Sequence, residues 1–406
     1  MRPSFSIPSA SSSFTWLFLL VIWILSCQPI DEPPIVLVDP AVAEEAIIGS
    51  TFNFPSLPLD YRIYTEPPHA SQPNTSVTEF HAIRLGRVMF YDNNLSLDGT
   101  ISCASCHQQA YAFGDNQALS VGVNGNMSRR NTLAMGTVLN GLPYHTLPNG
   151  LHHRPQFMWD EWTKSPLEAM KRHLSDPTIM GIDPDSLVSR LSLVPYYPIL
   201  YKRAFPQQPE EMRTDFLVGG LGGFTGTFST QNSHFDGAFK AMKEGEWMED
   251  YLGFSPSENM GKNLFFTHCA SCHGNYLGYD IAVEFNQLED FSACNGLDIH
   301  YEDQGIGDLP DKSSHAGMFR VPSLRNIEVS APYMHDGRFA SLREVLEFYN
   351  SEIQPHPNLH PLLQDSVGAP VRLQLTDTEL EAIEDFLRTL TDQKFLTSPK
   401  WSNPFR

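Results

Sequence analysis

The chain has 406 residues, a formal net charge of −20 and six cysteines. This length allows two or three domains with a sizeable buried core. The negative charge disfavours nucleic acid and anionic lipid as partners and suits docking of a basic electron-transfer protein, unless it serves only the solubility of an exported protein.

The N-terminal segment has the features of an export signal. Its apolar run, Phe14 to Leu25, is too short to span a bilayer and has the length of a signal-peptide core. The run ends in Ile24-Leu25-Ser26-Cys27, which resembles the lipobox of bacterial lipoproteins. We expect residues 1–26 to be a lipoprotein-type signal peptide and Cys27 to carry the lipid, with an ordinary signal peptide as the alternative. Either form exports the protein to the periplasm or cell envelope, with the lipid as its only membrane anchor.

Residues 27–75 are rich in proline and lack periodicity, which predicts a tether and an N-terminal arm. A helical period then runs from Thr78 through Phe90 and breaks at Asp92-Asn93-Asn94. This predicted helix precedes the first of two identical pentapeptides.

The pentapeptides are Cys103-Ala104-Ser105-Cys106-His107 and Cys269-Ala270-Ser271-Cys272-His273. In such a motif two cysteines attach a haem covalently, and the histidine becomes the proximal iron ligand. A shared zinc site is the competing interpretation, but zinc-binding pairs usually lie about 15–20 residues apart and do not need the adjacent histidine. A thioredoxin-like redox pair would need a βαβ setting that the sequence lacks. The sequence therefore predicts two covalently bound c-type haems.

The segments before the two pentapeptides repeat one another. Gly86-Arg87-x-x-Phe90 aligns with Gly261-Lys262-x-x-Phe265 in a second predicted helix that begins after Ser255 and runs into Cys269. A repeat of helix and haem motif indicates two haem domains of similar fold. The predicted fold class is mostly α, with two cytochrome c-like haem domains that have long loops and pack about a domain interface. We place their bounds at residues 76–245 and 246–398.

Residues 166–241 read as helical pieces interrupted by proline. The glycine-rich stretch Gly219 to Gly226 lacks the Lys-Ser/Thr end of a phosphate loop, and we interpret it as a flexible connection. Capping boxes at Ser341 and Thr376 predict two further helices, the first of which carries Tyr349.

The residues around both pentapeptides resemble the bacterial dihaem cytochrome c peroxidase family, which includes the MauG-like enzymes. The resemblance covers roughly residues 80–395. It rests on Leu85-Gly86-Arg87, Phe90, Leu95-Ser96, Phe113-x-Asp115, Ser120-x-Gly122, Arg130-Asn131, Trp159-Asp160, the block from Phe319 to Asn326 and the block from Ala331 to Gly337.

The resemblance implies a division of labour between the haems. The haem at His107 would be the peroxidatic site, which binds hydrogen peroxide at an open iron position. The haem at His273 would receive electrons from a small donor cytochrome c or a cupredoxin. Trp159 matches the tryptophan that lies between the two haems in the family; an ordinary core tryptophan is the alternative.

The resemblance also implies a calcium ion. Asn131 matches the calcium-binding asparagine of the family, with the backbone carbonyls of Ser330 and Pro332 completing part of the shell. Oxygen ligands suit a hard cation such as calcium. A structural turn asparagine is the alternative.

The sixth ligand of the second haem is a further expectation. The position of the usual methionine is occupied by Tyr349, as in MauG-like proteins, and a tyrosine ligand would stabilise ferric iron. Met334 and His335 are rival ligands.

The chain departs from the family where proton transfer should occur. Ile179 stands in place of the distal glutamate and Met170 in place of the distal glutamine. His173 or Glu168 could carry the proton instead, although Glu168 is more typical of a surface residue. Val123 replaces the loop histidine that blocks the peroxidatic iron in some members, so we expect an open iron in the resting protein.

These features favour a peroxidase that reduces hydrogen peroxide to water. The alternatives are a MauG-like oxidase of a protein or organic substrate, which Tyr349 favours, and a non-enzymatic dihaem electron carrier, which Ile179 and Met170 favour. Relatives are often dimers, so a homodimer stays open. Cys294 is expected to be a free thiol.

Overall fold

The computed structural model describes residues 40–53, 77–135, 145–146, 152–153, 157–163, 165–208, 211–242, 249–273 and 292–406. The predicted signal peptide and the predicted lipidation site at Cys27 lie outside these residues. None of the helices within the described ranges is long and apolar enough to cross a lipid bilayer.

The described part of the chain is mostly helical, as predicted. Two short antiparallel strand pairs accompany the helices: β1 (His145–Thr146) with β2 (His152–His153), and β3 (Ser292–Ala293) with β4 (Phe319–Arg320). The helices are α1 (Pro40–Thr51), α2 (Val77–Tyr91), α3 (Cys103–Cys106), α4 (Pro166–Ser175), α5 (Pro184–Ser192), α6 (Tyr196–Ala204), α7 (Thr214–Thr225), α8 (His234–Lys240), α9 (Pro256–His268), α10 (Ala270–His273), α11 (Leu342–Glu347), α12 (Asp377–Arg388) and α13 (Gln393–Thr397).

Capping boxes open α9 and also the two helices for which the sequence predicted them. At the start of α9, Ser255 accepts a hydrogen bond from the backbone N–H of Glu258, and the Glu258 carboxylate accepts one from the backbone N–H of Ser255 at 2.6 Å. The same reciprocal pair opens α11 at Ser341 and α12 at Thr376. These bonds satisfy N–H groups that have no partner within the helix, which fixes where each helix begins.

Helices α2 and α9 each cross a partner helix at a glycine. Helix α2 packs on α7, and α9 packs on α12. A methyl group on Gly86 would lie 1.9 Å from the carbonyl oxygen of Gly220, and one on Gly261 would lie 1.8 Å from that of Ala382. Since no side chain fits at that distance, both crossings need glycine. The sequence repeat therefore contains the same close helix crossing in each half.

The stretch Gly219 to Gly226 is helical, so its interpretation as a flexible connection was wrong. Most of it forms the C-terminal half of α7, and Leu217 and Phe224 of this helix are fully buried. Glycine weakens a helix by about 1 kcal/mol relative to alanine. The packing of α7 against α2 offsets that cost, because tertiary burial contributes most of the stability of a helix in a protein.

The residue after each crossing glycine is a buried cation. Arg87 donates to the backbone carbonyls of Pro399 and Ser402, each at 2.8 Å. Lys262 donates to the carbonyl of Glu249, and its ammonium lies 4.2 Å from the centre of the Tyr251 ring. Each cation thus ties its core helix to an irregular segment of the chain.

The buried apolar residues form two main cores and a smaller one. The first core gathers side chains of α2 and α5–α7 together with Phe395 and Trp401 from the end of the chain. The second core gathers α9, α11 and α12 and also takes Phe235 from α8. The third contains Cys294 and Phe348. The last residues of the chain therefore pack with the first haem motif and not with the second.

The segment predicted to be a tether and arm contains α1. Ile48 of this helix is buried in the first core. Phe52, just after it, bonds as an isolated bridge to Phe405, with the two ring centres 5.1 Å apart. The arm is thus anchored to the first core by its own apolar residues.

Candidate active site

The first pentapeptide forms a short helix that presents a histidine and two thiols. Ser102 and Ser105 form a capping box at the start of α3, and Cys103 and Cys106 are free thiols. Nδ1 of His107 lies 2.7 Å from the carbonyl oxygen of Phe113. Because that carbonyl can only accept, Nδ1 carries the proton and Nε2 is left with the lone pair that an iron ion needs.

The backbone and ring of Phe113 are held in place, which fixes the carbonyl that orients His107. Both Ala112 and Phe113 have left-handed backbone dihedrals, with φ of 55° and 58°, which are uncommon for residues with a side chain. The Phe113 ring stacks on Phe228 with centres 4.0 Å apart. This packing fixes the turn that aims the Phe113 carbonyl at His107. Burial lowers the pKa of His107 to about 4, so the imidazole is neutral and able to bind a metal.

The second pentapeptide follows α9 directly and repeats the arrangement. Nδ1 of His273 lies 3.2 Å from the carbonyl oxygen of Pro322, and burial lowers the pKa of this histidine to about 4. Pro322 belongs to the distinctive block from Phe319 to Asn326. In the same block, the buried Arg325 donates to the carbonyl of Thr230 at 2.7 Å and pairs with Asp236 at 3.0 Å. The block thus orients His273 and fastens that orientation to the second core.

The donor groups fit two separate c-type haems. Burial raises the pKa of Cys103 and that of Cys269 to about 12, so both thiols are protonated at neutral pH. Within the described residues, no three His, Cys, Asp or Glu side chains come together as metal ligands do. Each pentapeptide supplies two free thiols beside one histidine with an available Nε2, which is the donor set that a covalently attached haem uses.

His173 of α4 lies beside His107 in the first site. The rings of His173 and His107 have centres 6.5 Å apart at an angle of 79°. Nδ1 of His173 lies 2.9 Å from the carbonyl oxygen of Ala169, one turn earlier in α4, which leaves its Nε2 available as well. Burial lowers the pKa of His173. Two neutral imidazoles, each with an available Nε2, therefore lie close together.

The other distal candidates lie elsewhere. Ile179 and Met170 pack against the first core, as their apolar chemistry dictates. Glu168 is exposed in the first turn of α4 and accepts a hydrogen bond from Thr163. Val123 is fully buried, and its N–H donates to the carbonyl of Ile179 at 2.9 Å. Of the side chains that could move a proton here, only His173 among those named is near His107.

Tyr349 lies near the second pair of thiols. It is carried by a π-helical turn, Phe348–Glu352, that continues α11, and such turns are frequent at functional sites. Burial raises the pKa of Tyr349 to about 12, which a hydrogen bond from Asn295 opposes, and Cys272 and Cys269 raise it further. The phenol therefore needs a metal ion to lose its proton at neutral pH.

Asn295 contacts two of the candidate sixth ligands. Its Nδ2 lies 3.3 Å from the hydroxyl of Tyr349 and 3.8 Å from the sulfur of Met334. The ring of His335 is instead stacked on Phe319, with centres 3.9 Å apart. Sequence reasoning missed Asn295, because a single asparagine after Cys294 carries no local signal of a role.

Trp159 joins segments from both halves of the chain. Its indole N–H donates to the carbonyl of Asn131 at 2.9 Å, and its own carbonyl accepts from the backbone N–H of Arg320 at 2.8 Å. Its ring meets Phe319 edge-on at 6.5 Å and packs against the third core. Trp159 is therefore held from both sides and has little freedom to move.

A largely buried ion cluster lies beside Trp159. Arg130 pairs with Asp160 at 2.7 Å and holds Asp303 through two hydrogen bonds of 2.6 and 2.8 Å. Burial raises the pKa of Asp303, but the hydrogen bonds from Arg130 and Gly305 and the charges of Arg130 and Arg129 together outweigh it and bring the pKa to about 2. The cluster connects the Arg130-Asn131 motif to the second half of the chain.

Asn131 is buried and fixed by its neighbours. Its Nδ2 lies 3.1 and 3.2 Å from the carbonyl oxygens of Gln117 and Ala118, and its backbone N–H donates to the carbonyl of His335 at 2.7 Å. Because Nδ2 is engaged by carbonyls, the side-chain oxygen faces the other way and remains available as an oxygen ligand.

Cys294 is a buried thiol in the described structure, as expected for a free cysteine. Its sulfur lies 3.4 Å from Nδ1 of His356 and 3.8 Å from the hydroxyl of Tyr301. Burial raises the pKa of this thiol, which makes it a poor nucleophile.

Two oriented Cys-x-x-Cys-His units on two helical cores define a dihaem c-type cytochrome. A family model described as "Di-haem cytochrome c peroxidase" matches residues 81–244. Residues 81–244 therefore resemble the dihaem cytochrome c peroxidases.

The chain is also similar to curated proteins that are named MauG or cytochrome c peroxidase. The chain is 28% identical over 354 residues to the methylamine utilization protein MauG of Paracoccus denitrificans, covering 77% of this chain and 88% of the relative. It is also 28% identical over 280 residues to the cytochrome c551 peroxidase of Nitrosomonas europaea, covering 68% of this chain and 75% of the relative.

Solved structures agree in fold. A MauG-like protein associated with microbial copper homeostasis superposes with a TM-score of 0.64 at 27% identity, covering 84% of this chain and 99% of that one. The diheme peroxidase BthA of Burkholderia thailandensis superposes with a TM-score of 0.60 at 20% identity, covering 84% of this chain and 93% of that one. At that identity the second likeness concerns the fold alone.

Proposed function

We propose that the protein is a dihaem cytochrome c peroxidase that reduces hydrogen peroxide to water. The observation that carries this proposal is the paired arrangement of His107 and His273, each with Nδ1 fixed on a backbone carbonyl beside two free thiols. Two cytochrome c-like haem domains, residues 76–245 and 246–398, are part of the proposal. The family and its peroxidase members support it.

The chain contributes orientation, exclusion of water and proton transfer. When bound, the haems would supply an iron site for peroxide at His107 and an electron-transfer site at His273. The carbonyl of Phe113 holds His107 in one tautomer and in one orientation. Ile179 and Met170 stand in place of the distal glutamate and glutamine and offer no group that transfers a proton, so the proton must come from another side chain.

We assign that proton transfer to His173. Its Nε2 is free, its ring faces His107, and its neutral form can accept a proton from one peroxide oxygen and return it to the other. A second role competes with this one. With an available Nε2 and a ring centre 6.5 Å from that of His107, His173 could itself bind the iron.

The resting absorption spectrum separates the two roles of His173. We expect an open iron in the wild-type protein and, in a His173→Ala variant, slower peroxide reduction with an unchanged resting spectrum. A low-spin bis-histidine spectrum in the wild type that disappears in this variant would make His173 an iron ligand and would overturn the expectation of an open iron.

Electrons would reach the first haem through Trp159. The indole N–H donates to the Asn131 carbonyl, and the Trp159 backbone carbonyl accepts from the N–H of Arg320. This fixation suits a ring that accepts and passes on an electron without moving. In this proposal Tyr349 is the sixth ligand of the second haem, and the donor is a small cytochrome c or a cupredoxin. A basic donor would be attracted by the net charge of −20.

Calcium completes the proposed cofactors. The side-chain oxygen of Asn131 would bind the ion together with the carbonyls of Ser330 and Pro332. We also propose that the protein is exported to the periplasm or cell envelope by its signal, is lipidated at Cys27 and forms a homodimer.

A MauG-like oxidase of a protein or organic substrate is the second candidate function. It is favoured by Tyr349 beside the second thiol pair and by the 28% identity to MauG. The apolar Ile179 and Met170 favour a third, an electron carrier without catalysis.

Steady-state hydrogen peroxide consumption with a reduced small cytochrome c tests the proposal. We expect turnover in the dihaem protein and none in a His107→Gly variant. No turnover in the fully haem-loaded wild type would refute the peroxidase function. Slow oxidation of the donor cytochrome together with rapid oxidation of another substrate would favour the MauG-like oxidase.

A further inference from the structure

A hydrogen-bonded side-chain network lies against Tyr349 and has no part in the function proposed above. Asn295 is its central member. The Oδ1 atom of Asn295 lies 3.2 Å from the backbone nitrogen of Leu297 and 3.3 Å from the hydroxyl of Tyr301. On the other side, its Nδ2 faces the Tyr349 hydroxyl and the Met334 sulfur.

The orientation of the Asn295 amide follows from its partners. The backbone N–H of Leu297 can only donate, so the atom of Asn295 that faces it must be the acceptor, Oδ1. The same N–H also donates to the Tyr301 oxygen at 2.7 Å, which leaves the hydroxyl proton of Tyr301 for Oδ1. Asn295 therefore presents two N–H donors to Tyr349 and Met334 and cannot reverse without placing donor against donor.

The far side of the network is rigid. Tyr301 is buried, and its ring meets His356 edge-on with centres 5.3 Å apart. Nδ1 of His356 accepts from the backbone N–H of Asn358 at 3.0 Å and lies 3.4 Å from the sulfur of Cys294. Cys294 itself is fully buried. Asn295 is thus supported by packed neighbours and holds its donors in fixed positions.

We propose that Asn295 is a positioning residue that makes Tyr349 the sixth ligand of the second haem in preference to Met334 and tunes the potential of that haem. This rests on the proposed function, which gives Tyr349 that position. A hydrogen bond to an ionised oxygen is stronger than one to a thioether sulfur, so the Asn295 donors favour the tyrosine. The same bond withdraws electron density from the ligand oxygen, and hydrogen bonds to a ligand are one of the means by which a protein sets a haem potential.

The direction of the effect can be stated. Without the donor, the tyrosine oxygen gives more electron density to iron, stabilises the ferric form further and lowers the potential. If Tyr349 is displaced instead, Met334 takes the position and the potential rises. Either result changes the reduction equilibrium of the second haem and leaves the first haem as it was.

The test is spectroelectrochemical titration of the purified dihaem protein carrying Asn295→Leu, which removes both donors without adding a charge. We expect the reduction equilibrium of the second haem to change at least about tenfold, which is about 59 mV for one electron. The tyrosine-to-iron charge-transfer band should shift or be replaced by a methionine-to-iron band. Tyr301→Phe removes the hydroxyl that donates to Oδ1 but leaves both N–H donors of Asn295 in place, so it should cause a smaller change in the potential.

The Tyr349→Phe background decides whether Asn295 acts through the ligand. There, Asn295→Leu should have no further effect on the ligand spectrum of the second haem. An unchanged potential and spectrum in Asn295→Leu, or a shift of the same size in the Tyr349→Phe background, would overturn the proposal. Peroxide consumption by the same wild-type sample reports separately on the proposed function, since its absence would refute the peroxidase and leave the potentials valid.

Discussion

The glycine crossing between α2 and α7 can be tested by adding one methyl group. In Gly86→Ala, the new Cβ would lie 1.9 Å from the carbonyl oxygen of Gly220. The obstacle is backbone, so the helices must move apart and no side chain can relieve the contact by changing rotamer. Overpacking of a core typically costs about 1–3 kcal/mol, and we expect a clash with the backbone to cost about 3 kcal/mol or more.

Alanine also favours the helix by about 1 kcal/mol over glycine. Gly86→Ala should therefore lower the free energy of unfolding by about 2 kcal/mol, since about 3 kcal/mol of overpacking outweighs the propensity gain. Gly219→Ala is the matched control, because it lies in α7 and a Cβ there meets no atom within 4 Å. That variant should be more stable than the wild type by up to about 1 kcal/mol.

Chemical denaturation of the dihaem protein, followed by circular dichroism, measures both variants. The two should differ by about 3 kcal/mol. The twin pair, Gly261→Ala at the α9–α12 crossing and Gly237→Ala in the open, should behave alike if the repeat is structural. Equal stabilities of Gly86→Ala and Gly219→Ala would show that the crossing has no steric origin.

The remaining predictions concern the region around Trp159. The Asp303→Asn variant loses the bidentate contact with Arg130. In the wild type the pKa of Asp303 is lowered to about 2, so the carboxylate stabilises the folded protein above about pH 4 and this stabilisation disappears as the pH falls towards 2. A tenfold change in proton affinity corresponds to about 1.4 kcal/mol. The free energies of unfolding of variant and wild type, measured by chemical denaturation, should therefore differ by about 2 kcal/mol at neutral pH and converge in acid. Trp159→Phe should slow stopped-flow reduction of the first haem at least about tenfold, equivalent to about 1.4 kcal/mol in the barrier, whereas Trp162→Phe, on an exposed ring, should not. Calorimetric titration of Asn131→Ala should show loss of calcium binding, and binding by this variant equal to that of the wild type would exclude the site.

The local chemistry of the haem motifs was determined by sequence alone. Two Cys-x-x-Cys-His pentapeptides, the capping boxes at Ser341 and Thr376 and the helix before Cys269 are short-range patterns. Their physics involves only residues a few positions apart, so no knowledge of packing was needed to find them.

Other features depended on residues far apart in the chain. Helix α7 forms in spite of its glycines because α2 lies against it, and the last residues return to the first core through Phe395 and Trp401. Local propensity contains no information on either contact.

The site shows the same division. The sequence identified His107, His273 and Tyr349 as ligands or candidates, but the carbonyls that orient both histidines and the amide that faces Tyr349 come from distant turns. Phe113, Pro322 and Asn295 act through backbone position or a single polar contact, and neither leaves a pattern along the chain. Sequence therefore determined which groups can bind haem, and tertiary structure decided how each is aimed, because orientation depends on hydrogen bonds between segments that only folding brings together.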